Sequence, residues 1–327
     1  MSNVEDLENL REIKFLVLRG TLSDLSILDF SSYNVKILQI NENEFKQYIE
    51  EHSSPRDREY NWDPFEEILE PLHGTEKIFA VVPKNILSQF SVDDLLLCYD
   101  TLLLMFPSDL KITHVVDFQI TEQNQLYYCC YADYGFRSTG NGNYFENYVL
   151  FDEQYNDEIN EFLKIFKPRH KRIKYAKQAL ESYVSSFQAH SLQQGYLDLC
   201  ICLETIMEGT TEISYRIKHH IAVLCSENED HAKTIYSNIG KIYTVRSKIV
   251  HGELVKENKI IEYLPYLRCL ISRMIIEVIL LNIPERKQLD TILTFAGYNK
   301  KPTLTNEYKK MTLNLISYVN SFAKELN

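Results

Sequence analysis

Near residue 152 the chain changes its hydrophobic period, and that change constrains the fold more than any other feature. Before it, short runs dense in Val, Ile, Phe and Tyr alternate with polar breaks; after it, apolar residues recur at three- and four-residue spacing to the end. The switch predicts an α+β N-terminal domain over 1–155 and an all-α helical bundle over 156–327. A chain of 327 residues is long enough for each part to bury a core of its own. In the first part, 13–18, 35–40 and 78–82 read as strands and 43–52 as an acidic helix. Residues 53–64 read as a loop. Ser91 followed by Val92, Asp93 and Asp94 is a capped helix entry running to about Met105. Residues 111–151 read as a β-meander with a turn at Gly140-Asn141-Gly142-Asn143. Its tyrosines, Tyr127, Tyr128, Tyr131, Tyr134, Tyr144 and Tyr148, suit either a sheet or a stacking surface. In the second part, Ile173, Ala176, Leu180, Val184 and Phe187 form one apolar face after Pro168. Further helices fit 191–208, 213–226, 231–251, 260–282, 285–296 and 304–325, punctuated by Gly209 and Gly252.

One helix end carries chemistry. The segment YTVRSKIVHGE, 243–253, places Arg246 and His251 with four residues between them. Arg is a permanent planar cation that grips two phosphate oxygens, and His exchanges a proton near neutral pH. Ile235, Ile239, Ile242, Arg246 and Ile249 follow at steps of four, three, four and three, so Arg246 falls inside the apolar stripe. It must there meet an acidic partner, or lie in a cleft or a subunit interface. His251 is displaced from it by roughly 140° around an ideal helix. A regular helix therefore cannot close both groups on one phosphate: either the helix unwinds at Gly252 or a second copy supplies the other half. The plain alternative is a structural ion pair at Arg246 and a His251 that faces the negative end of the helix dipole. Ser247 and His251 share a face as a nucleophile and base would, but no nearby acid completes a triad.

The stretch 196–253 resembles the ApeA-like branch of the HEPN superfamily. The features that carry the resemblance are an apolar helix with Leu203-Glu204, a helix start at Glu212-Ile213-Ser214-Tyr215-Arg216, and a closing Tyr-x-x-Arg-Ser-Lys-Ile-Val-His-Gly. The resemblance implies a HEPN helical bundle that dimerises so that two Arg-x-x-x-x-His motifs face one another across a composite cleft. It further implies a metal-independent endoribonuclease without a cofactor, of bacterial anti-phage or toxin type. Arg246 and His251 would be catalytic, Ser247 and Glu204 supporting, and the products a 2′,3′-cyclic phosphate and a 5′-hydroxyl. Some members have Asn or Asp directly after the Arg where this chain has Ser247. The alternative is a non-catalytic HEPN module that binds RNA, a nucleotide or a protein partner.

Charge divides along the same line as hydrophobic period. Residues 1–165 hold 12 Lys plus Arg against 30 Asp plus Glu, a balance of −18, and the remainder holds 23 against 16, or +7, giving the chain its −11. The basic half suits an RNA substrate. The acidic half could shield it, and would be the place for a regulatory partner or trigger. Lys171, Arg172 and Lys174, in a run with Lys167, Arg169 and Lys177 that contains no acid, and Lys248 beside the motif, are candidate RNA contacts. Seven Cys without a Cys-x-x-Cys spacing indicate neither a disulfide framework nor a zinc site. The acidic start MSNVEDLENLRE lacks the apolar core of a signal peptide, and the apolar run 260–283 is interrupted by charges and Pro265. A cytoplasmic protein without a membrane span is expected.

Overall fold

The structure, a computed structural model, describes residues 11–40, 43–52, 77–86, 91–120, 126–133, 149, 151–207, 213–226, 228–296 and 326. Contacts divide the chain into two compact units: 1–101, 108–138 and 146–164 form the first, and 102–107, 139–145 and 165–327 the second.

In the first unit, β1 (Arg11–Thr21), β2 (Val35–Gln39), β3 (Lys77–Pro83), β4 (Lys111–Ile120) and β5 (Leu126–Asp133) form an antiparallel sheet ordered β2-β3-β1-β4-β5. Side chains alternate between faces of a strand. Ile13, Phe15 and Val17 of β1 therefore join Ala80 and Val82 of β3 and Val116 and Phe118 of β4 on one side. There they meet Phe45, Tyr48 and Ile49 of α1 (Asn43–His52). Leu16, Leu18, Phe79, Val81 and Ile112 point the other way and are also buried, so both faces are covered. Lys14 pairs with Asp117 directly across β1 and β4. The helix expected after Ser91 is α2 (Val92–Met105), and the Ser91 hydroxyl accepts the Asp93 N–H at 3.1 Å. The loop 53–64, the turn at 140–143, Tyr134, Tyr144 and Tyr148, Gly209 and Glu212, and the helix 304–325 lie outside the described residues.

The second unit is helical, built from α3 (Asn156–Arg172), α4 (Lys174–Gln188), α5 (Leu192–Ile206), α6 (Ile213–Cys225), α7 (Glu229–Val250), α8 (Glu257–Leu281) and α9 (Arg286–Ala296). In the contact division the start of α3, through Lys164, goes with the first unit. The reason is local: Ile159, Phe162 and Leu163, at the start of α3, are buried in the first unit, and the Asn160 side chain accepts the Asp29 N–H at 2.8 Å. Pro168 lies inside α3, and the break comes at Ile173. Of the α4 face that the spacing predicts, Ile173, Ala176 and Leu180 are buried and Val184 and Phe187 half-buried.

The bundle closes around α8, which is buried at every residue from Tyr266 to Leu280 and packs against α4, α5 and α6. This interior includes charge. Arg273 and Glu277, 1% and 0% exposed, pair one turn apart at 3.5 Å, and Arg268 lies over the Phe187 ring at 4.0 Å while donating to the Ser186 carbonyl at 3.2 Å. Among the described residues no helix is long and apolar enough to cross a membrane. The side chains of Cys98, Cys200, Cys202, Cys225 and Cys269 are buried.

Two buried imidazoles make this bundle acid-sensitive. His170, stacked on Phe166, and His220, set between Asp290 and Thr294, are each pushed down to about 4, in both cases chiefly by burial. The Lys177 charge adds to it at His170; at His220, Asp290 opposes it and His219 and Arg216 add. Unfolded, each ring takes up a proton near pH 6.5. Between about 6.5 and 4 the unfolded chain thus binds more protons, and stability falls as pH falls through that window, by about 3 kcal/mol per ring at its acid end. Urea midpoints at pH 7 and pH ~4.5 should differ accordingly. The pair His170→Gln and His220→Gln should remove most of the difference, and an unchanged pH dependence in that variant contradicts the assignment.

Candidate functional site

Helices α5, α6 and α7 build the site. The first turn of α7 is set by Asn228, whose side chain accepts the His231 N–H at 2.9 Å, and by Glu229 and Asp230 near the positive end of the dipole. Its buried face is Ile235, Asn238, Ile239, Ile242 and Val245. Arg246 and Ile249, expected within the stripe, lie at its half-buried edge. The helix then stops without unwinding. Glu253 N–H bonds to the Lys248 carbonyl at 2.9 Å and Gly252 N–H to the Ile249 carbonyl at 3.1 Å, with Gly252 at φ 73°. That pair of bonds is a Schellman motif, and its left-handed residue favours glycine. His251 is the cap residue, and its side chain is exposed.

Glycine also brings α5 into place. A Cβ on Gly195 would lie 2.8 Å from the Ser186 carbonyl, so only glycine lets α5 approach the end of α4 this closely. From there the Tyr196 hydroxyl donates to the Ile242 carbonyl at 3.0 Å, tying α5 to α7. Two turns on, Glu204 faces Arg246. Arg246 Nη2 sits 3.1 Å from Glu204 Oε1, and the Tyr243 hydroxyl donates to the same carboxylate at 3.4 Å. The two ionic side chains are 33% and 28% exposed, so their pairing contributes at most about 1 kcal/mol and serves to aim the guanidinium. The Tyr243 phenol and the Cys200 thiol beside them are held protonated at neutral pH, first by burial and then by the Glu204 charge.

Arg246, Ser247, Lys248 and Glu204 line one open cleft of about 690 Å³, together with Tyr243 and with Ser214 and Lys218 of α6. His251 does not line it. One copy of the chain therefore presents the guanidinium in the cleft and the imidazole beyond it. Among the described residues no three His, Cys, Asp or Glu side chains are grouped to hold a metal ion.

The basic run at the α3–α4 junction is a different matter. Lys171 and Lys174 are exposed and do not line the cleft. Arg172 donates to the carbonyl (3.3 Å) and side chain of Asn282, and Arg169 donates to the Ile279 and Leu280 carbonyls at 3.1 and 2.9 Å. These two guanidiniums satisfy the last carbonyls of α8, as cations near a helix C-terminus do. Arg172, a candidate RNA contact, is thus engaged in closing α8. Spacing alone gave no sign of Lys218, which reaches the cleft from another helix and lies 4.8 Å over the Tyr236 ring. Tyr243 was in view in the motif, but its carboxylate partner was not. No family model, no curated protein and no solved structure matches the chain.

Proposed function

We propose that the chain is a HEPN-type endoribonuclease that works as a homodimer, each copy supplying Arg246 to one cleft and His251 to its partner's. The observation that carries this is the half-built site: a guanidinium aimed into an open cleft by Glu204, and an exposed imidazole just past the end of the same helix. Exposed apolar side chains flank it in sequence. Ile201 precedes Glu204 by one turn, Tyr215 adjoins Ser214, and Val250 follows Arg246 by one turn. A second copy would bury them.

In the reaction, the RNA 2′-hydroxyl attacks the adjacent phosphorus and loses its proton, and the P–O5′ bond breaks as the 5′ oxygen gains one. The products are a 2′,3′-cyclic phosphate and a 5′-hydroxyl. His251 moves a proton, and Arg246 stabilises charge on the phosphoryl oxygens. Growth arrest in bacterial defence is the role that accompanies this reading, with the first unit as regulator. One observation favours the competing reading of a non-catalytic binding module: Arg246 already has a carboxylate partner. Incubating the purified chain with mixed RNAs in EDTA and analysing the end groups separates the two. Cyclic phosphate ends support the nuclease; RNA that is bound but intact supports the binding module.

A further inference from the structure

A second cleft lies on the other flank of α7. It measures about 520 Å³, and its walls come from α7 (Lys241, Thr244, Lys248), the turn that follows (Leu254, Lys256) and the first turns of α8 (Lys259, Tyr263). Among the described residues that line it, four are lysines and none is acidic. The described lining of the Arg246 cleft, by contrast, mixes Lys218, Arg246 and Lys248 with Glu204 and Glu253. Of the two clefts, the second thus has the more basic described lining.

The two clefts are not separate sites. Thr244 and Lys248 line both, so one helix ridge divides them. Lys241 and Lys248 are two turns apart on that ridge, about 10 Å along the axis. Lys241 donates to the Leu326 carbonyl and Lys259 lies 5.4 Å over the Tyr263 ring, whereas Lys248 and Lys256 are exposed. Tyr263 is buried and offers no face for stacking a base, so the cleft is built for anionic groups along a strand and not for nucleobases.

We infer that the lysine cleft holds backbone phosphates of the RNA strand whose scissile bond lies at Arg246. This rests on the ribonuclease reading and adds where the strand goes: out of the Arg246 cleft, over Thr244 and Lys248, and along Lys256 and Lys259. Binding there is electrostatic and tolerant of sequence, and it is realised only by a strand long enough to cross the ridge.

The test uses the full chain carrying His251→Ala, so that strands stay intact, with and without Lys256→Glu plus Lys259→Glu. Affinities are measured by fluorescence anisotropy at several salt concentrations for single-stranded RNAs of about four and about twelve nucleotides. The double substitution should weaken the long strand about tenfold or more and lower its salt slope by about 1.4, the value for two phosphate contacts on a single strand. The short strand should change by less than about twofold. Equal weakening of both lengths, or of neither, overturns the inference, as does a change in sedimentation of the RNA-free protein, which would make the lysines a contact between copies. Failure of the unsubstituted background to bind either RNA sinks the ribonuclease reading and the lysine cleft together; binding that ignores the two lysines sinks the lysine cleft alone.

Discussion

On the proposed ribonuclease reading, His251→Ala should lower RNA cleavage by roughly 10²–10⁴, the range for loss of a general acid or base, and leave RNA affinity nearly unchanged. Arg246→Ala should weaken both, since on that reading the guanidinium meets the phosphate before and during the reaction. Neither change should disturb the fold. His251 is an exposed cap residue whose backbone bond to Ser247 does not depend on its side chain, and Arg246 contributes only a partly exposed ion pair. Far-UV circular dichroism should therefore be unaltered in both variants. Cleavage that survives His251→Ala removes the imidazole from the mechanism.

Glu277→Ala is the most destabilising single substitution expected in the bundle. Its carboxylate is fully buried against the equally buried Arg273, at the centre of a helix enclosed by α4, α5 and α6. Removing one member of such a pair leaves a guanidinium in the interior without this carboxylate, at a cost of roughly 3–5 kcal/mol. Replacing both, with Arg273→Met and Glu277→Leu, removes the charge and the need for its partner together, and should recover most of that loss. Denaturant unfolding of the three proteins checks this. A single substitution no worse than the double one would show that the pair carries no such penalty.

Helices were legible where period and capping agreed. The segment 231–251 corresponds to α7 at Glu229–Val250, and 260–282 to α8 at Glu257–Leu281, read three residues late because its first residues, Glu257, Asn258 and Lys259, are polar. The strand segments are legible for the same reason, since β-branched and aromatic residues between polar breaks fit a covered sheet. Arg246 was readable as a cation needing either an acid or a cleft, and it has both. Which acid was not readable, because Glu204 meets it across two helices whose approach is set by Gly195 against Ser186. The structural use of Arg169 and Arg172 was not readable for a related reason: the carbonyls that take them up lie at the end of α8, more than a hundred residues away. The lysine cleft was invisible until the turn at Gly252 brought Lys256 and Lys259 back beside Lys241 and Lys248.

Mixing two inactive proteins tests the composite site most directly. If each active cleft takes Arg246 from one copy and His251 from the other, Arg246→Ala and His251→Ala chains should each be inert alone. Combined under conditions that allow subunit exchange, they should regain cleavage, because the mixed dimer assembles one cleft with both groups intact. Restored production of 2′,3′-cyclic phosphate ends is the predicted result. A mixture as inert as its components, with exchange demonstrated by labelled subunits, would contradict the shared site.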